Sequence, residues 1–287
     1  MNTDQGADAN RRGRFLRDGY GVFPAVLGPE MVFEAQRICD RHVAAMSAED
    51  RARHRYTGSL ISLQEDQRFA RLIAWPETQH AFAALGYADN RWVAGFIINK
   101  PPASAALFWH QDCWWWDEPE AYAVEPTMLF AMYYLMDTNP ERGCLRVVPG
   151  SHRRRHRLHD QLSAAHTDAT SYEAEGSPAL AAAEGEIDVP VRAGDLVVGD
   201  ARVLHASHPN RSGERRTVLT LWYYSAAEGV SARIHRKFGT AHMYRGHKIY
   251  SEWKAQAVDE IRHLLPQPCG DGREPDWHRI PGSRLRY

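Results

Sequence analysis

The segment GDLVVGDARVLHASHPNRSGERRTVLTLWYY, residues 194–224, decides the fold class. Leu196–Val198 is a short apolar run entered through the Gly194-Asp195 turn, and Thr217–Tyr224 is a longer one rich in β-branched and aromatic residues. Ile187–Val191, Met128–Met136 and Trp92–Ile98 read the same way, as does Cys144–Val148, which is broken by Pro149 and Gly150. Many short strands with Gly/Pro punctuation, behind a helical N-terminal part, predict a mainly β protein with packed N-terminal helices, a β-sandwich or jelly roll.

The N-terminal part is read outward from there. Residues 1–13 are polar and are expected to form a mobile tail. RFLRDGYG (14–21) then leads into a strand and turn. Pro29 opens a helix on which Met31, Ala35 and Ile38 recur at helical spacing. A charged, exposed helix is expected over Ala44–Arg55, and two further helical turns over Gln67–Leu85, interrupted at Pro76. Residues 160–186 are Ala/Ser/Glu-rich and read as an insertion or lid. No repeat or linker divides the chain, so one domain over 1–287 is expected.

Composition narrows the class. Among 287 residues, Lys+Arg 35 against Asp+Glu 36 leaves a net charge of -1, with no field to attract nucleic acid or a membrane surface. The apolar run Met128–Met136 is too short to span a bilayer. The opening MNTDQGADANRRGRF matches neither a signal nor a transit peptide. Cys39, Cys113, Cys144 and Cys269 lie far apart, which fits reduced thiols and a cytoplasmic location. Arg and Ala dominate while Lys is scarce, a bias of GC-rich bacterial genomes. The class expected is a cytoplasmic enzyme acting on a small molecule.

Two His-x-Asp tripeptides occur, His110-Gln111-Asp112 and His166-Thr167-Asp168. Alternate residues near a strand end can converge on one ion, and two His with one carboxylate leave open positions on Fe(II). With 15 His in the chain, roughly one such tripeptide arises by chance, so context must choose. His166 lies in the polar stretch AAHTDATS. His110 follows a strand and a Lys-Pro-Pro turn and sits in FWHQDCWWW, surroundings that suit a dry metal site. A third ligand must come from a later strand: His205 and His208 are both available, His208 reading as a loop residue. Arg215 and Arg216 open the following strand, where an arginine can clamp a carboxylate bidentately.

Taken together, these segments resemble the phytanoyl-CoA dioxygenase family of Fe(II)- and 2-oxoglutarate-dependent oxygenases. FIINKPPAS (96–104) precedes WHQD (109–112); GCLRVVPGSH (143–152) and HASHPNRSGERR (205–216) follow in the family's order. Weaker similarity reaches back to LQEDQRF (63–69) and FLRDGYGVFP, so the resemblance covers about Phe15 to Tyr224. It implies the double-stranded β-helix, a cupin-like jelly roll. It implies His110, Asp112 and His205 as iron ligands. Arg216, at the family's spacing after the last histidine, would hold the distal carboxylate of 2-oxoglutarate, with Ser207 and Gln111 as further co-substrate contacts. Phe96 and Met132 fall near other such positions. The implied cofactors are Fe(II), 2-oxoglutarate and O2. The implied reaction is hydroxylation of an unactivated C–H in a bacterial biosynthetic or catabolic pathway, with succinate and CO2 released. Acyl-CoA hydroxylation and a non-catalytic metal-binding β-helix protein are the alternatives.

Other residues stay open at this stage. Trp114, Trp115 and Trp116 either line a pocket mouth or pack inside the barrel. Cys113 reads as a packing residue. The run His152-Arg153-Arg154-Arg155-His156-Arg157-Leu158-His159 is either a solvated face or a receptor for an anion such as a CoA phosphate, with His152 supporting a turn. His235, His242, His247, His263 and His278 read as surface or packing residues, and the C-terminal segment with Trp253 and Trp277 as a cap of pocket or interface.

Overall fold

Every residue of Met128–Tyr134 (MLFAMYY) is buried, which explains why this run lacks polar alternation: both of its faces are covered. The computed structural model describes residues 2–164, 176–226, 230–245, 247–268 and 276–287. Within them the strands are β1 (Tyr20–Phe23), β2 (Ile61–Ser62), β3 (Asn90–Lys100), β4 (Leu107–His110), β5 (Met128–Tyr134), β6 (Leu145–Val147), β7 (Ile187–Val189), β8 (Leu196–Asp200), β9 (His205–Ser207) and β10 (Arg216–Ser225). They form two antiparallel sheets, ordered β1-β8-β5-β10-β3-β2 and β4-β9-β6-β7.

The large sheet separates two cores. Leu129, Ala131 and Tyr133 of β5, with Leu219, Leu221 and Tyr223 of β10, pack against helical residues including Ile38, Leu72 and Phe82. The alternate residues Phe130, Met132 and Tyr134, with Val218, Trp222 and Tyr224, share the other core with Leu145 and Val147 of the small sheet. Burying one such side chain is worth about 1.5–3 kcal/mol, so period-two alternation fixes which residues face the barrel interior.

The N-terminal segment departs from the expected tail over residues 1–13, because Asn2–Asp18 is one helix. Its contacts explain the order. Phe15 is buried in the helical core, and the Arg12 guanidinium lies over the Tyr87 ring while donating to Leu85 O and Glu125. Pro29 does start a helix, Pro29–Ala44. The charged helix is shorter than expected, Ala48–Arg53, capped by Ser47, whose hydroxyl accepts from Asp50 N. The helical stretch over 67–85 is interrupted as expected, at residues 74–75, and Pro76 opens its second helix, Pro76–Ala84.

Of the expected insertion or lid at 160–186, residues 165–175 lie outside the described residues. Its far end is held inward: Trp109 N donates to Ala179 O, and Trp109 Nε1 to Ala181 O. Among the described residues, no helix is long and apolar enough to cross a membrane.

Candidate active site

The small sheet builds the site. β4 and β9 pair antiparallel with His110 directly opposite His205, and the two ring centroids are 4.1 Å apart. Two residues past His110, Asp112 turns inward: its carboxylate lies 3.8 Å from His110 Nε2 and 3.6 Å from His205 Nε2. All three residues are buried, and their ligand atoms lie within 4.8 Å of one another.

The ring tautomers suit metal binding. His110 Nδ1 lies 2.9 Å from Phe108 O and His205 Nδ1 lies 3.1 Å from Val203 O. A carbonyl only accepts, so each Nδ1 carries the proton and each Nε2 presents its lone pair toward Asp112. Donors 3.6–3.8 Å apart can both reach one ion at about 2.1 Å. Two neutral imidazoles and one carboxylate are the donor set of a non-haem Fe(II) centre.

One turn holds the whole group. Asp112 N donates to Ala201 O at 2.8 Å, Gln111 Nε2 donates to Arg202 O, and His205 is anchored on Val203 O. That turn is locked by a buried ion pair: Arg202 Nη2 meets Asp200 at 2.6 Å, and Arg202 Nη1 donates to Ala123 O at 2.6 Å. Phe130, packed over Gly199, presses its ring 4.9 Å from that of His205. Trp222 Nε1 donates to Asp112 Oδ2 at 2.8 Å and orients the carboxylate.

The Trp222 bond gives a direct prediction. Trp222→Phe keeps an aromatic ring and removes the donor, so metal affinity should fall about 10–100-fold, beyond the modest drop in melting temperature that the smaller ring brings. Titration of apo-protein with Fe(II) measures the first, and thermal denaturation followed by circular dichroism the second.

A cavity opens from this cage toward Arg216, lined also by Leu107, Tyr134, Ser207, Thr220 and Trp222. Arg216 is 5% exposed and donates from Nη2 to Ser207 Oγ at 3.2 Å. Its buried Nε has no hydrogen-bond partner among the described residues. Across the strand pair stands another buried basic residue, Lys100, rather than an acid. Burial pushes both below their ordinary pKa, Lys100 strongly and with Arg216 repelling it further. Lys100 is committed elsewhere, donating to Tyr56 O at 3.0 Å and to Ala105 O. A buried guanidinium with an unmet donor asks for an anionic acceptor. Gly143, at φ +63°, keeps space beside it: a Cβ there would stand 3.2 Å from His208 O and 3.6 Å from Arg216 Nε.

The remaining candidates are thereby sorted. Gln111 lies beside His110 in a neighbouring cavity, away from Arg216. Met132 lines the Arg216 cavity, and Phe96 packs edge-on against Trp222 at 5.8 Å. Arg215 turns outward and pairs with Asp40. His208 meets Asp188 at 2.6 Å outside the cage. His166 and Asp168 lie outside the described residues, as does Cys269. Cys39, Cys113 and Cys144 are free and buried; burial raises the Cys113 thiol well above its ordinary pKa, as befits a packing residue.

Trp114, Trp115 and Trp116 are packed inward, against Trp277, Phe238 and Tyr122 respectively. His152 Nε2 lies 3.1 Å from Leu16 O, in the last turn of the N-terminal helix. Trp222, Asp200 and Arg202 are invisible to sequence reasoning. An aromatic residue in a strand and an acid–arginine pair in a turn carry no motif of their own.

Three comparisons bear on this geometry. A Stutzerimonas stutzeri protein described as a probable alpha-ketoglutarate-dependent hypophosphite dioxygenase is 30% identical over 131 residues, 45% of this chain and 43% of that one. The match thus spans less than half of that curated relative. The alpha ketoglutarate dependent carbocyclase SnoK from nogalamycin biosynthesis is 25% identical, with TM-score 0.53 over 76% of this chain and 83% of that one. The epimerase SnoN, crystallised with Fe3+, alpha ketoglutarate and nogalamycin RO, shares the fold at 22% identity and TM-score 0.54, over 79% of this chain and 92% of that one. The two sheets are those of a double-stranded β-helix. Residues 15–218 match the family described as Phytanoyl-CoA dioxygenase (PhyH), and the chain therefore belongs to that family.

Proposed function

We propose that the chain hydroxylates an unactivated C–H bond of a small organic molecule, with His110, Asp112 and His205 holding Fe(II), and Arg216 and Ser207 receiving the distal carboxylate of 2-oxoglutarate. One observation supports this most: a His/Asp/His cage and a buried arginine with an unmet Nε donor line a single cavity. When iron is bound, it supplies oxidative decarboxylation of the keto acid by O2 to succinate and CO2, coupled to oxygen transfer into the substrate.

The chain's own residues do the rest. Phe108 O and Val203 O keep the imidazoles in the ligating tautomer, while Trp222 fixes the carboxylate. Arg216 and Ser207 set the depth at which the keto acid sits, and the apolar walls Leu107, Leu145 and Val218 exclude water. Oxygen insertion is favoured because the curated relative is described as a dioxygenase.

Acyl-CoA hydroxylation gains no support from Arg155, the most engaged cation of the basic run. Arg155 is engaged with Asp160, 2.5 Å away, and with Gly282 O. A complete cage with a carboxylate clamp likewise weighs against a purely binding role. The test is a screen of small metabolites with Fe(II), 2-oxoglutarate and O2. Substrate-dependent succinate release with a product 16 mass units heavier is expected. Succinate without oxygen in the product would replace hydroxylation by ring closure, desaturation or epimerisation.

A further inference from the structure

A second, smaller cavity shares the His110 wall with the first. Besides His110 it is lined by Gln111, His159, Ser163, Arg279 and Pro281, and among the described residues no carboxylate lines it. His159 is 3% exposed, and its Nδ1 accepts a hydrogen bond from His156 N at 2.8 Å. That bond leaves the ring proton on Nε2. Nε2 is buried, and among the described residues no hydrogen-bond partner meets it. Burial lowers the pKa of the ring to about 4, so at neutral pH it remains an uncharged N–H donor.

The segment carrying Arg279 is fixed in place. The Arg279 guanidinium stands 4.9 Å from the Trp114 ring centroid. Trp116 N donates to His278 O at 2.9 Å, and His278 N to Trp114 O at 2.7 Å. Further on, Arg155 N and Nη1 donate to Arg286 O and Gly282 O, and Tyr287 OH donates to Asp160 at 2.6 Å. The basic run thus clasps residues 282–287, which holds Arg279 close to His159 on the cavity wall.

We propose that this cavity is the anchoring subsite for the substrate, receiving an oxyanionic group, carboxylate or phosphorus oxyanion, between the His159 Nε2–H and the Arg279 guanidinium. It deepens the oxygenase reading by assigning a substrate class, a small molecule with one anionic oxygen group. The remainder of that molecule would lie along the His110 wall. A buried N–H without a partner discriminates strongly against analogues that lack the acceptor.

The test uses the full chain loaded with Zn(II) and 2-oxoglutarate, so that the Arg216 site is occupied. Histidine-selective 15N labelling follows the His159 ring, assigned by the signal lost in His159→Phe. Acetate, methylphosphonate and neutral acetamide are titrated in turn. The Nε2–H tautomer is expected, with its resonance moved by acetate or methylphosphonate and at least tenfold less readily by acetamide. Arg279→Gln should weaken that response at least tenfold, with unchanged melting temperature and 2-oxoglutarate affinity. A response to acetate alone identifies a carboxylate, and one to methylphosphonate alone a phosphorus oxyanion. An Nδ1–H tautomer, no movement with either anion, or movement indifferent to Arg279→Gln overturns the proposal. The readout needs no turnover: a His159 response without substrate-dependent succinate release would sink the oxygenase reading and leave the anion subsite standing.

Discussion

Asp112→Ala is expected to reduce Fe(II) affinity by more than about 100-fold and to abolish substrate-coupled succinate formation, because it removes a ligand rather than a ligand's support. Asp112 is the one anion of the cage, and both imidazole Nε2 atoms lie within 4 Å of it. The same change also strands Trp222 Nε1, buried, without its acceptor, which costs about 1–3 kcal/mol of stability. Asp112→Asn therefore belongs beside it: the amide oxygen can still accept from Trp222, while the charge is gone. Equal iron affinity for wild type and both variants would dismantle the cage assignment. His166→Ala serves as the control, expected to bind iron and turn over as wild type does.

The second large effect is on co-substrate binding. Arg216→Ala should raise the 2-oxoglutarate concentration needed for half-saturation about 100-fold or more, since charge-assisted hydrogen bonds are worth about 1.5–3 kcal/mol each. An anaerobic titration of Fe(II)-protein, following the visible charge-transfer band, measures it directly. Iron affinity itself should stay unchanged, which separates this variant from those of the cage. Arg216→Lys should rescue little, because an ammonium cannot reproduce the planar two-point grip. Nor can Lys100 substitute from the neighbouring strand. Its Nζ is bound to two backbone carbonyls, and burial drives it toward the neutral form. A band forming at the same 2-oxoglutarate concentration in Arg216→Ala would show that the keto acid's distal end lies elsewhere.

Much of this was legible in the sequence, for reasons that can be named. β3, β5 and β10 are long, apolar and bounded by Gly, Pro or charged residues, so their pattern survives without tertiary context. β4 and β9 do not: four and three residues are too few for alternation to register, yet these two strands carry the histidines. The His110 motif was readable through its neighbours. Family spacing singles out Arg216 rather than Arg215; in the structure Arg215 pairs with a helix acid, Asp40, while Arg216 lines the cavity. Asp200, Arg202 and Trp222 carry no sequence signal, because their roles exist only after the turn 200–204 meets the loop 110–112. The helix at residues 2–18 is illegible in the sequence for a related reason. Its polar sequence is ordered by contacts to Leu85, Tyr87 and Glu125, which are remote in the chain.

The face-to-face pairing of β4 with β9 also couples assembly to chemistry. His110 and His205 are about a hundred residues apart in sequence, so the cage does not exist until this long-range closure is complete. An ion that binds only the closed chain therefore acts as a ligand of the native state, adding about 2.7 kcal/mol at a free concentration one hundred times its dissociation constant. Iron supply would then set not only how fast the enzyme works but also how long each copy survives unfolding and proteolysis. Scarcity would shrink the pool of protein along with its activity.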